Sequence, residues 1–317
     1  MEDKRLVIGI DTSCYTTSVA AKCGDRMFHF KKMLDVKESE CGLRQSDALF
    51  QHIKNLPLLF EELGKAVKIR EFDEVTVTVS SKPRNVQGSY MPVFLAGQSY
   101  AKAISSVLDA KYVETSHQDG HIMAAIYSCK KYDILDEPFL VYHLSGGTTE
   151  LLLVKKTENG FNCEIVGGTR DLPAGQFIDR IGVKLGFDFP CGKYIDYSAV
   201  NYGGKQERVK TCVNDSYINF SGEETRYRRL FENGEDKEKI TYSVMKCISV
   251  SVRKSVEFAK EKYGIRNVLM VGGVSSSKFL RNEFSDMPNV YFAETELSTD
   301  NAVGVCEIGA MMNPISR

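Results

Sequence analysis

"PFLVYHLSGGTTELLLVKKT", Pro138 to Thr157, reads as two strands hinged on a glycine turn: leucine- and valine-rich runs of strand length flank Ser145, Gly146 and Gly147. The same arrangement opens the chain. "RLVIGIDTSCYTTSVAAKC" (Arg5 to Cys23) places two β-branched runs around a turn of small hydroxyl residues. Each unit leads into a plausible third strand, "GDRMFHFKKML" after the first and "FNCEIVGGT" after the second, so each half of the chain begins as an antiparallel meander.

Outward from these units the periodicity changes. From Ser46 to Val67 the apolar positions Leu49, Ile53, Leu56, Leu59, Phe60 and Leu63 recur at helical spacing, with Pro57 expected to kink or break the helix. "EVTVTVSS" alternates as a strand, and "PVFLAGQSYAKAISSVLDAKY" suits an alanine-rich helix running to Tyr112. "VETSHQDGHIMAAI" follows as another helix. Farther on, "ITYSVMKCISVSVRKSVEFAKEKYG" is a long helix with a buried stripe of Val244, Ile248, Val252 and Val256 and a stop at Gly264. "NVLMVGGVSSSKFLRNEF" reads as strand, glycine turn and helix, "NVYFAE" as a last strand, and "TDNAVGVCEIGAMM" as a closing helix capped by Thr299 or Asp300. Strands interleaved with helices in two similar halves define an α/β protein with duplicated mixed sheets.

With 317 residues, 43% of them hydrophobic, the chain can bury two cores and is not disordered. Its 41 basic and 42 acidic side chains nearly cancel, so a nucleic-acid substrate has to be gripped by a local patch or a partner. Nine scattered cysteines without a C-x-x-C pair argue against a disulfide framework or structural zinc, and fit a reducing, cytoplasmic setting. The five-residue apolar run of the N-terminal strand is too short for a signal core or a membrane span. The polar stretch Gly203 to Lys239, with "RYRR" at Arg226 to Arg229, has two readings: a solvated insertion, or a basic surface for RNA phosphates.

Two kinds of residue carry chemistry. His117 and His121 lie four apart, so on a helix both imidazoles share a face and reach one metal ion; taken alone the pair serves equally as satisfied or surface histidines. Asp119 between them either orients a ring or stays in solvent. Asp300 competes between N-cap and ligand. The turns form the second group: Asp11 with its hydroxyl neighbours, Ser145 to Gly147, and Gly272 with Gly273 at a helix start all offer backbone N–H groups to phosphate oxygens. A single such turn usually only turns the chain, whereas two hairpins and a later Gly-Gly helix start in this order are specific.

That order resembles the two-domain actin, sugar-kinase and Hsp70 ATPase fold (ASKHA), with nucleotide held between duplicated halves. Within it, "IGIDTS", "HQDGH", "LSGGTTEL", "GQFIDRIGVKLGFDFPCGKYID", "NFSGEETR", "VGGVSSSKFLR" and "STDNAVG" resemble, along nearly the whole chain, the tRNA threonylcarbamoyladenosine transferase family (TsaD in bacteria), formerly called O-sialoglycoprotein endopeptidases. The resemblance implies metal- and adenylate-dependent transfer of a threonylcarbamoyl group to the exocyclic amine of the adenosine beside the anticodon. It makes His117, His121 and Asp300 catalytic ligands of one divalent metal ion, iron or zinc. It assigns His143, Leu144, Ser145, Gly146 and Gly147 to the phosphate and carbamoyl site, and Asp179, Gly192 and Asp196 to the ribose. Asp11, Gly272, Gly273 and Ser277 complete the site for threonylcarbamoyl-AMP, ATP or AMP. Implied partners are tRNA, a paralogous subunit of the same fold and a small ATPase, in a homo- or heterodimer with no membrane involvement. Residues 1–112 plus 299–317 would form one actin-like subdomain and 113–298 the other, with the metal and nucleotide site at their interface.

The chain departs from the family pattern inside the site. Thr148 stands for the histidine of "SGGHT", Asp119 for a glutamate, Ser277 for the asparagine of "GGVAAN" and Gln176 for an acid. "SSKPRNVQGSYMPVF" replaces a glycine loop, with Pro83, Arg84 and Tyr90 where small residues are usual. These differences raise the alternative of a diverged nucleotide-binding paralogue that regulates a partner without transferring anything. The endopeptidase reading finds no support, because Asp119 is misplaced for the glutamate of a zincin "HExxH".

Overall fold

The computed structural model describes residues 4–13, 15–35, 43–158, 160–205, 208–297 and 300–312. Thr299, one of the two expected caps of the closing helix, lies outside them, as do Cys14 and Cys41. The chain divides into two compact units, Met1–Tyr132 with Lys156–Asn162 and Thr299–Arg317, and Asp133–Lys155 with Cys163–Ser298. The twin-histidine segment therefore belongs to the first unit, and the boundary expected at residue 113 moves to 132.

In the first unit, β1 (Arg5–Asp11), β2 (Thr16–Cys23) and β3 (Arg26–Met33) form the expected antiparallel meander, while β4 (Glu74–Lys82) joins the other side of β1 in parallel. The sheet order is β3-β2-β1-β4-β5. Leu6, Ile8 and Ile10 on β1 are fully buried, as befits a central strand covered on both faces. The fifth strand, β5 (Lys111–Ser116), takes the end of what reads in sequence as a helix. That helix, α2 (Phe94–Leu108), stops at Asp109, whose left-handed backbone (φ 51) turns the chain back into the sheet.

Before it, α1 (Gln45–Ala66) runs through Pro57 without a break, one of the two outcomes expected there. Proline removes the N–H that would bond the carbonyl of Ile53, and the Tyr100 hydroxyl donates to that carbonyl instead, at 3.3 Å. The helix α3 (His117–Cys129) packs on the closing helix (Val303–Met311), with glycines at the closest approach. A Cβ on Gly304 would stand 1.8 Å from the Gly120 carbonyl oxygen, so only glycine permits this approach.

In the second unit, β6 (Phe139–Leu144), β7 (Thr149–Thr157) and β8 (Gly160–Thr169) repeat the meander. After α4 (Ala174–Lys184) and α5 (Gly192–Val200) come two short strands, β9 (Cys212–Asn214) and β10 (Tyr217–Asn219), then α6 (Ser221–Glu232) and the long α7 (Lys237–Tyr263). The strand β11 (Val268–Val271), the helix α8 (Lys278–Glu283) and the strand β12 (Val290–Phe292) complete it. The sheet order is β12-β11-β6-β7-β8-β10-β9. Its first five strands, read from β8 back to β12, reproduce the order of the first sheet, so the duplication legible in the two hairpins extends to whole sheets.

The stripe Val244, Ile248, Val252 and Val256 is buried and Gly264 closes α7 in the left-handed region (φ 66). The stretch 203–239 is not simply a solvated insertion. Ile218, Phe220 and Tyr227 are buried in the core of the second unit.

Candidate functional site

The geometry of the first candidate centre starts at the N-terminus of α3. Ser116 caps it, its hydroxyl accepting from the Asp119 N–H at 3.1 Å, while Asp119 reaches back toward Ser116 and takes a hydrogen bond from the Thr115 hydroxyl at 3.2 Å. Asp119 is buried, and that burial pushes its carboxyl up to about 6. It neither orients an imidazole nor sits in solvent, the two roles considered from sequence; it fixes the first turn of the helix that carries both histidines.

Four residues apart on that helix, His117 and His121 point their Nε2 atoms at one another across 3.0 Å. Asp300, just before the closing helix, places Oδ1 3.4 Å from His117 Nε2 and 3.3 Å from His121 Nε2. Asp300 is not the cap of that helix, whose N-cap position is Ala302. All three residues belong to the first unit. A cation with ligand bonds of about 2.1 Å separates its ligand atoms by roughly 3.0 Å at right angles and roughly 3.4 Å at tetrahedral angles. The triangle therefore fits a metal ion, and it is the metal-competent group found among the described residues.

Asp11 supplies the second layer. His117 donates its Nδ1 hydrogen to Asp11 Oδ2 at 3.1 Å, because a carboxylate oxygen accepts, and this leaves Nε2 as the atom facing His121 and Asp300. The Ser13 hydroxyl donates to the same oxygen at 2.8 Å. The other oxygen, Oδ1, is buried without a hydrogen-bond partner. Burial alone would lower the pKa of His117, but Asp11 and Asp300 raise it well above the ordinary imidazole value; the field that favours a proton there favours a metal cation equally. Burial would raise Asp300, and hydrogen bonds from His117 and His121 instead hold it far below the usual carboxylate range. The Phe94 ring closes one side, its centroid 6.3 Å from that of His117.

Sequence placed Asp11 with the phosphate turns; the structure places it on the histidine. Its partners Ser13 and Phe94 were not singled out at all. The alternation of β1, which points Asp11 the same way as buried Gly9 and Val7, was the available signal.

The second unit gathers the remaining candidates into a closed circuit. At the end of β6, the Ser145 N–H donates to the Thr148 carbonyl at 2.8 Å and the Thr148 N–H to the Ser145 hydroxyl at 3.0 Å, forming the turn through Gly146 and Gly147. A Cβ on either glycine would meet nothing within 4 Å, so these positions present open backbone. The start of α4 lies against this turn, with the Gly175 N–H donating to Ser145 at 3.2 Å. One turn along α4, Asp179 Oδ1 accepts from the Cys191 N–H at 2.8 Å and tethers the start of α5, where Gly192 is exposed.

On α5, Asp196 accepts from the Ser277 hydroxyl, from the Lys278 N–H at 3.0 Å and from the Phe279 N–H at 3.0 Å. It caps α8 together with Ser277, whose hydroxyl accepts from Leu280 N–H at 3.0 Å. The circuit closes where β11 pairs with β6, Val271 opposite His143. There Gly272 (φ 92) brings its Cα so near Leu144 that a Cβ would lie 2.4 Å from that carbonyl oxygen. Gly273 does not start an α-helix as expected; it opens a 3₁₀ turn to Ser276, and the α-helix begins only after the Ser277 cap.

Two sheets of repeated order place this chain in the actin-like ATPase fold class. Full-length HypF in a phosphate- and nucleotide-bound form shares it with a TM-score of 0.62 at 14% identity over 98% of this chain, and T. kodakarensis HypF with 0.59 at 12% over 98%. This chain spans 46% and 47% of those two chains, about half of each, and at these identities the likeness is one of fold. Sequence defines the family. The family model described as TsaD, tRNA N6-adenosine threonylcarbamoyltransferase, matches residues 33–305, and the chain belongs to that family.

Proteins named tRNA N6-adenosine threonylcarbamoyltransferase from Sulfurihydrogenibium sp. (strain YO3AOP1) and Kosmotoga olearia are 31% and 27% identical to it. The first alignment covers 96% of this chain and 89% of the relative, the second 95% and 92%. The protein is an acyltransferase that carries a threonylcarbamoyl group onto a tRNA adenosine, and the alternative of a paralogue without transferase activity is not favoured. No helix among the described residues is long and apolar enough to cross a membrane.

Proposed function

We propose that the transfer depends on one divalent metal ion and on an adenylate donor, and that the acceptor is the adenosine beside the anticodon. His117, His121 and Asp300 would hold the metal; the observation that carries this is the approach of their three ligand atoms to within 3.0 to 3.4 Å of one another. When bound, such an ion supplies Lewis-acid stabilisation of charge developing on a reacting oxygen. Asp11 holds the His117 Nδ1 hydrogen, which leaves Nε2 facing inward, and the Ser116–Asp119 capping box holds both rings in register.

In the second unit the open backbone of Gly146, Gly147 and Gly273 would face the phosphate of threonylcarbamoyl-AMP, with His143 and Leu144 behind it and Asp179, Gly192 and Asp196 toward the ribose. The chemistry needs no covalent intermediate on the protein: the adenosine amine attacks the carbamoyl carbon, the N–C bond forms as the C–O bond to AMP breaks, and one amine proton is lost. Of the cysteines, burial pushes the Cys247 thiol up to about 12 and Cys306 farther still, which disfavours these two as nucleophiles. The metal is iron or zinc, both suited to imidazole and carboxylate. Activity in the cell would be cytoplasmic and shared with a paralogous subunit and a small ATPase.

The test is purified protein with threonylcarbamoyl-AMP, unmodified tRNA and the cognate partners, with nucleosides analysed by mass spectrometry. Modified adenosine should form, and should be lost on chelation and restored by iron or zinc. Product formation undiminished by complete metal removal would sink the metal assignment, and transfer from a donor lacking the adenylate would sink the second.

A further inference from the structure

We infer that the second unit carries an anion pocket that grips a backbone phosphate of the RNA substrate; the inference rests on tRNA being that substrate. Once the five strands that repeat the first sheet are set aside, β9, β10 and α6 remain as an addition at the β8 edge. The addition is firmly built in, because Ile218, Phe220 and Tyr227 are buried in the core of that unit. Between it and α7 lies a cavity of about 170 Å³, bordered by Arg208, Arg226, Tyr227, Leu230, Glu235 and Lys239.

Three cations border this space, and Glu223 and Glu235 pair with two of them, which leaves a local excess of one positive charge. Lys239 Nζ lies 3.2 Å from Glu235, and Arg226 Nη1 donates to Glu223 at 3.0 Å while its guanidinium stands 5.2 Å over the Tyr227 ring. These contacts hold the two side chains in place. A guanidinium carries five N–H groups and an ammonium three, so each can serve more than one acceptor. Arg208 enters from an exposed position at the rim. The Tyr227 hydroxyl donates to the Ser243 carbonyl at 3.2 Å and also meets the Arg226 guanidinium, and Glu235 and Ser243 line the space beside the cations.

Size and charge choose the ligand. Pockets that engulf a small organic molecule measure roughly 300–1,000 Å³. This one is smaller and suits a single group presented by a larger molecule. A chain of net charge −1 attracts a polyanion only through such local excess of cations, and a phosphate accepts from several cationic donors at once.

The experiment is filter binding of unmodified tRNA to the full-length protein across a salt series, with Arg208→Gln, Arg208→Glu and Lys239→Glu. The Kd for tRNA should rise several-fold for Gln and about tenfold for Glu, and the slope of log Kd against log salt should fall by about 0.7–0.9 for each phosphate no longer neutralised. Melting temperatures matching the wild type exclude misfolding, and Arg208→Lys should restore most of the affinity. Unchanged affinity and salt slope in all three variants would overturn the inference. So would a pocket that takes inorganic phosphate, seen as phosphate-dependent stabilisation lost in Arg208→Glu, while tRNA affinity stays constant; the ligand would then be a free anion. Binding is read without catalysis, so wild-type protein that retains tRNA yet modifies none disproves the transfer chemistry and leaves the phosphate grip to be decided by the variants.

Discussion

His117 and Asp11 are joined by an Nδ1–H to carboxylate hydrogen bond of 3.1 Å, although they stand 106 positions apart in the chain. Asp11 is fully buried and has no solvent to share its charge, so its attraction is directed at the imidazole and at whatever cation the imidazole holds.

Replacing Asp11 with asparagine keeps the shape and removes the charge. Metal affinity should fall about 10- to 100-fold, the usual effect of losing a partner that orients a liganding imidazole. Metal content after dialysis against a graded chelator measures this directly. Retention equal to wild type would show that the carboxylate has no hold on the ligand.

Removing a ligand should uncouple metal from stability. A metal bound only by the folded chain raises its melting temperature by mass action. Zinc or iron should therefore stabilise the wild type and leave His121→Ala and Asp300→Ala unmoved, with transfer abolished in both. A metal-dependent rise of the same size in either variant would place the ion elsewhere.

The capping box predicts a loss of stability. Ser116→Ala should cost about 1 kcal/mol in chemical denaturation, largely recovered by Ser116→Thr or Ser116→Asp. Gly160→Ala should cost more, because its backbone sits at φ 136 and a Cβ there would stand 2.6 Å from Asp119 Oδ2. An alanine at 160 as stable as glycine contradicts this packing.

Acid should weaken the first unit through His52. This side chain is buried, its Nδ1 on the Thr17 hydroxyl at 2.9 Å and its Nε2 without a partner, and burial lowers its pKa from 6.5 to about 4 despite Asp11 and Asp300. The folded state thus binds fewer protons than the unfolded one, so its contribution is complete above pH 6.5 and drains away as pH falls toward 4. At 1.36 kcal/mol per unit the gap is worth ~3 kcal/mol. Denaturation midpoints measured from pH 7 to pH 4 should fall less steeply in His52→Gln; parallel curves would reject the assignment.

Much of the fold could be read because it is written twice. The runs Arg5–Cys23 and Pro138–Thr157 announce the two meanders, and the stripe Val244 to Val256 marks the helix under the second sheet. Local patterns were not enough where a tertiary contact decided the outcome. Pro57 stays helical because Tyr100 satisfies the carbonyl it frees, and Lys111–Ser116 becomes a strand through its pairing with β4.

The site divides in the same way. His117 and His121 share a helix face by spacing alone, and Asp300 was suggested by resemblance to the family. The duty of Asp11 to His117 depends on the sheet bringing distant residues together, and the inward position of Asp119 on a cap that periodicity does not reveal. Asp196 enters the sequence reading only through the resemblance to the family, and its three hydrogen bonds at the start of α8 come from positions 81 to 83 residues away.

The contact between Gly120 and Gly304 bears on biosynthesis. Asp300 follows His121 by 179 residues, and it reaches the imidazoles only when the helix beginning at Val303 has docked. A nascent chain paused anywhere in that interval holds the two histidines and Asp11 without the third corner of the triangle. The complete triangle of His117, His121 and Asp300 would therefore form only once the second unit has been synthesised.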